Sequence, residues 1–78
     1  MRTFEITIVC RSSEALPQDT VRQIAAYCSL RFLTCLTETT NRLTFVGKAE
    51  ASAVRTFAEI MLSVQGVQSV RIECVPIN

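Results

Sequence analysis

Residues 3–10 read Thr-Phe-Glu-Ile-Thr-Ile-Val-Cys, and in them Phe4, Ile6, Ile8 and Cys10 alternate with Thr3, Glu5, Thr7 and Val9. Side chains two apart share a face of an extended chain, so this period of two predicts a strand with one strongly apolar face. That face needs a cover, and the next segment supplies one. Residues 11–16 break the alternation, and Pro17 suits the first turn of a helix, where its missing N–H has no partner to lose. Beyond it Val21, Ile24, Ala25 and Cys28 recur at spacings of three and four while Gln18, Arg22 and Gln23 face away, the pattern of an amphipathic helix.

Further along, Phe32 to Thr37 is rich in apolar and β-branched residues and reads as a second strand. The polar stretch Glu38-Thr39-Thr40-Asn41 separates it from a third strand, Arg42 to Val46, and so short a loop predicts an antiparallel hairpin. Gly47 is expected to end the third strand. Ala51, Val54, Phe57, Ala58, Met61 and Leu62 then keep helical spacing, with Glu50, Arg55 and Glu59 outside. Gly66 marks the helix exit, Val67 to Val75 alternates again, and Pro76 stops the strand.

Strand, helix, strand, strand, helix, strand is the split βαβ order, and right-handed crossovers then put both helices on one face of the sheet. The expected fold is α+β: a ferredoxin-like βαββαβ sandwich with antiparallel strand order 4-1-3-2. Its helix-facing side is expected to carry Phe4, Ile6, Ile8, Leu43 or its neighbour Phe45, Val70, Ile72 and Cys74. The opposite side is expected to carry Thr3, Glu5, Thr7, Val9, Thr44, Val46, Arg71, Glu73 and Val75.

A chain of 78 residues accommodates one domain, 1–78, and one small core, which makes self-association the natural source of further stability. Its 49% apolar content excludes disorder, and 8 basic against 7 acidic residues give no field to attract a phosphate backbone directly. Of the aromatics that could stack bases on an open sheet, Phe4, Tyr27, Phe32, Phe45 and Phe57, the first and last fall in the core by periodicity, which weakens an RNA-binding reading. No apolar run approaches the length of a bilayer span, and Met1 to Glu5 lacks a signal-like apolar stretch, so a cytoplasmic protein without membrane contact is expected. The four cysteines, Cys10, Cys28, Cys35 and Cys74, form no Cys-x-x-Cys pair and there is no histidine. They are expected to be small buried hydrophobes rather than metal ligands or disulfides. Without histidine, Ser-His and Cys-His nucleophiles are impossible, and no catalytic residue or cofactor is expected.

Residues 54–76, Val-Arg-Thr-Phe-Ala-Glu-Ile-Met-Leu-Ser-Val-Gln-Gly-Val-Gln-Ser-Val-Arg-Ile-Glu-Cys-Val-Pro, carry landmarks at Val54, Phe57, Ala58, Gly66, Val67, Cys74 and Pro76, with the preceding hairpin aligning through Leu33 and Leu43. This stretch resembles the last helix and strand of the C-terminal domain of nickel-responsive transcriptional repressors, which belong to the ACT-like regulatory domains. The resemblance implies a regulatory, ligand-binding module of the kind found in transcriptional regulators, paired through its sheet with effectors held between subunits. On that alignment the strand positions of the nickel ligands fall at Thr34, Leu36 and Arg42, which cannot replace them, and Arg42 puts a permanent cation where a metal would sit. The family's DNA-binding arm is likewise expected to be absent, because the first strand starts at Thr3. Val64-Gln65-Gly66-Val67 resembles part of the acylphosphatase signature, but it precedes the last strand instead of following the first, so it is read as accidental.

The resulting expectation is a small, stand-alone ACT-like regulatory or ligand-sensing module, not an enzyme, that forms homodimers or larger assemblies through its sheet. The oligomer face is expected at Val9, Val46, Arg71, Glu73 and Val75. A small anionic ligand is expected near Arg11, Ser12, Ser13 and Arg42, because a guanidinium holds a carboxylate by two parallel hydrogen bonds; a partner protein is the other candidate. The alternative is a small ferredoxin-like enzyme or carrier using Arg42, Arg71 or a cysteine.

Overall fold

The computed structural model describes residues 1–11 and 18–76. The chain runs β1 (Arg2–Cys10), α1 (Gln18–Tyr27), β2 (Arg31–Glu38), β3 (Arg42–Ala49), α2 (Ala51–Leu62) and β4 (Val67–Cys74). The strands pair antiparallel in the order β2-β3-β1-β4, which is the ferredoxin-like α+β arrangement expected from the sequence. Pro17, the expected helix start, lies outside the described residues.

Burial follows the period of two through β1, where Phe4, Ile6, Ile8 and Cys10 are buried and the residues between them half-buried. Leu43 and Phe45 are both buried, being two apart on the same face of β3. Val21 and Ala25 of α1 and Val54, Phe57 and Met61 of α2 join them in one cluster, so the helices cover one side of the sheet and leave the other open. Phe45 sits at its centre, with Phe32 against one side and the edge of Phe57 against another.

The end of α1 is built without glycine. Leu30 N–H donates to Ala25 O at 2.8 Å and Ser29 N–H to Ala26 O at 3.1 Å, the two bonds of a Schellman cap, with Ser29 at φ 60 in the left-handed position that glycine usually takes. Leu30 and Ala25 are both buried, so the cap also directs Leu30 into the core. After α2, Val67 N–H closes a turn onto Val64 O, and Gly66 takes φ 93.

Three expectations are corrected. Gly47 does not end β3: the strand continues to Ala49, and Gly47 pairs with both Phe4 and Phe32. Its role is space, since a Cβ there would come within 2.7 Å of Leu30 Cδ2 and 3.2 Å of Arg31 O. Only Cys10 and Cys28 are buried, while Cys35 and Cys74 are exposed. Both exposed thiols lie on outer strands, which among the described residues have a neighbouring strand on one side only; Val70 and Ile72 of β4 are accordingly half-buried. Leu62, expected on the buried face of α2, is exposed at the last helical residue.

Candidate functional site

Two sheet regions carry the residues singled out by sequence. At one end of the sheet, Cys10 N–H donates to Asn41 O at 2.7 Å and Arg11 N–H to Gly66 O at 2.9 Å. Arg11 therefore stands beside the start of β3, where Arg42 pairs with Val9. The fold thus brings the backbones of Arg11 and Arg42 together from distant points of the sequence. Both side chains are exposed, and neither makes an ion pair among the described residues. Ser12 and Ser13 lie outside the described residues.

On the open face, the register sets Val46 beside Glu5 and Glu5 beside Glu73, and Thr44 beside Thr7 and Thr7 beside Arg71. Thr7 and Thr44 share a hydroxyl hydrogen bond of 3.0 Å, and Arg71 bonds Glu73 at 2.9 Å along its own strand. Val9 pairs with Arg42 and Ser69, whereas Val75 N–H bonds Thr3 O at the far end of β1. The register puts Val9, Val46, Arg71 and Glu73 on one face, with the polar pairs Thr7–Thr44 and Thr7–Arg71 lying between Val9 and Val46.

Large apolar side chains stand exposed elsewhere, at Met1, Tyr27 and Leu62 and, on the sheet, on β2. Leu33 and Leu36 of β2 are 47% and 52% exposed. Pairing with β3 steps from Phe32↔Gly47 to Thr34↔Val46 and from Cys35↔Phe45 to Thr37↔Thr44, so each leucine is the extra residue of a β-bulge. The strand's non-alternating run Phe32-Leu33-Thr34-Cys35-Leu36 was the available signal, because an unbulged half-buried strand has no reason to place leucines at odd and even positions alike.

Among the described residues there is no enclosed pocket, no buried polar side chain and no group of three potential metal-ligating side chains. Thr34, aligned with a nickel-ligand position, lies beside Val46 on the open face, Leu36 is a bulge residue, and Arg42 is exposed. Burial raises the pKa of the Cys28 thiol, which disfavours the thiolate there.

No protein-family model and no curated protein matches the chain. Solved structures match its shape over nearly the whole length. The P2 domain of the chemotaxis kinase CheA, in complex with the response regulator CheY, from Thermotoga maritima, superposes with TM-score 0.74 at 13% identity, covering 95% of this chain and 98% of that one. An acylphosphatase from Bacillus subtilis gives TM-score 0.74 at 14% identity, covering 100% and 89%. The ACT domain of a GTP pyrophosphokinase from Chlorobium tepidum gives TM-score 0.66 at 14% identity, covering 92% and 97%. At such identities the likeness is one of fold, and this fold hosts unrelated functions. The shape is thus shared by an ACT domain and by an acylphosphatase alike, and the narrower likeness to nickel repressors gains no support from these matches. No helix among the described residues is long and apolar enough to cross a membrane.

Proposed function

We propose that this chain is a one-domain regulatory module that works by associating through its sheet rather than by catalysis. The observation that carries the reading is the pair of exposed leucines, Leu33 and Leu36, on a strand whose outer side meets no other strand among the described residues. Exposed apolar side chains on an open strand edge favour partners, whereas a catalyst needs convergent polar groups around a recess. The CheA P2 domain seen in complex with its response regulator and the ACT domain of the pyrophosphokinase are analogies for such a module. The exposed thiols Cys35 and Cys74 suit a reducing compartment such as the cytoplasm.

A small anion is a secondary ligand in this reading. Arg11 and Arg42, neighbours at one end of the sheet, are the cations offered to it. Sedimentation velocity from nanomolar to high micromolar protein tests the main claim. Reversible association is the expected result, and a monomer throughout this range that also pairs with no partner strand would overturn it. A thermal-shift screen of carboxylates and phosphates, repeated with Arg42→Ala, tests the anion: shifts that persist in the variant remove Arg42 from the site.

A further inference from the structure

The two bulges of β2 define which strand fits its free edge. Thr39 N–H bonds Arg42 O at 2.9 Å, while Cys10 N–H reaches Asn41 O on the other side of the hairpin. In an antiparallel ladder successive residues alternate the side toward which their N–H and C=O point. Arg42, Thr44, Val46 and Lys48 of β3 therefore bond to β2, and Leu43, Phe45 and Gly47 bond to β1. The β2 residues opposite the second set, Glu38, Cys35 and Phe32, must then turn their N–H and C=O groups outward. Because of the bulges these outward residues recur every three positions instead of every two.

Such spacing blocks an ordinary strand, which offers its groups every two residues; this is how bulged edges avoid indiscriminate pairing. A second β2 has the same spacing. Antiparallel pairing of the two about a two-fold axis at Cys35 sets Cys35 opposite Cys35 of the other copy and Phe32 opposite Glu38. Each pair joins residues on the helix side of the sheet, as residues facing one another in an antiparallel pair must be. Each bulge then lies opposite the partner's other bulge, and Leu33 and Leu36 enter the junction.

Charge fits the same register. The Arg22 guanidinium of α1 lies over the Phe32 ring, 4.1 Å from its centroid. In the pair, Glu38 of the second copy arrives beside that Phe32 on the same side of the sheet, within reach of Arg22. Symmetry repeats the contact. Neither Arg22 nor Glu38 makes an ion pair within the chain among the described residues, whereas Arg71 and Glu73 on the other outer strand are already paired with each other. Resting on the associating-module reading above, we propose that the chain forms a two-fold dimer by β2-to-β2 addition centred on Cys35, with two Arg22–Glu38 contacts between copies.

Charge variants test both partner and register by sedimentation velocity. Arg22→Glu and Glu38→Arg each set like charges together at both contacts and are expected to weaken the dimer roughly tenfold or more. An equimolar mixture of the two variants restores both opposite-charge contacts in the mixed dimer, so its affinity should return to within about threefold of the parent. That rescue also shows that both variants fold. In a Cys74→Ser background, mild diamide oxidation should link the copies through Cys35, since directly opposed strand residues sit about 4.5–5.5 Å apart between Cα atoms, inside the disulfide range. A parent dimer indifferent to both charge variants, or a mixture no tighter than either variant alone, overturns the proposal and leaves association through another surface standing. A monomeric parent overturns the dimer outright.

Discussion

The ring of Phe32 lies flat against that of Phe45, centroids 4.3 Å apart and planes 12° from parallel. Phe45 is fully buried, so this stack ties the outer strand β2 to the centre of the core. Phe32→Ala should cost about 2–3 kcal/mol, less than the ~3–5 kcal/mol of Phe45→Ala, because Phe32 is half-buried and leaves the smaller cavity. Urea unfolding of the two variants checks the order; equal losses would mean that β2 is no less embedded than β3.

Ser29 occupies a left-handed position at φ 60, where a side chain costs about 1 kcal/mol or more relative to glycine. Ser29→Gly is therefore expected to stabilise the chain by roughly 0.5–1 kcal/mol, even though it adds no contact. A raised urea midpoint with an unchanged slope is the signature to look for.

The two glycines should respond to alanine for different reasons. At Gly66, with φ 93, alanine meets backbone strain of about 1–2 kcal/mol whatever its neighbours. At Gly47 the obstacle is the Leu30 side chain 2.7 Å from the new Cβ, so the cost, roughly 1–3 kcal/mol, depends on a neighbour. Leu30→Ala combined with Gly47→Ala should be less damaging than the sum of the two alone, and additivity would show that crowding is not the cause.

Thiol labelling should divide the cysteines by strand position. Cys35 and Cys74 are expected to react with a maleimide in the folded protein, and Cys10 and Cys28 only on unfolding. Burial raises the Cys28 pKa, so above the ordinary thiol range the unfolded chain releases this proton while the folded chain retains it. Stability therefore falls as the pH rises through that alkaline window and is unaffected by this group below it. Cys28→Ala should flatten the alkaline loss, as measured by urea midpoints at a series of pH values.

Arg71 is a control for the open face. Its bond to Glu73 joins two largely exposed side chains, 77% and 53% by side-chain area. Arg71→Ala should change stability by no more than about 0.5 kcal/mol, and a larger loss in dilute protein would point to a structural role for the open face that the register does not suggest.

Periodicity by itself determined the element order and most of the core: Phe4, Ile6, Ile8, Val21, Val54, Phe57 and Met61 had only one way to be buried together. The resemblance to ACT-like domains, not periodicity, put Arg11 and Arg42 among the candidate ligand residues, and the pairing of β1 with β3, with the bond from Cys10 N–H to Asn41 O, is what brings their backbones near each other. What periodicity could not reach depends on neighbours distant in sequence. Gly47 reads as a stop until Leu30 and the β1 and β2 partners are seen around it. Cys35 and Cys74 look like core residues until their strands prove to be the outer ones. Leu33 and Leu36 look like ordinary strand residues until pairing with β3 expels them as bulges, because the choice between a paired and an extra residue is made by the partner strand.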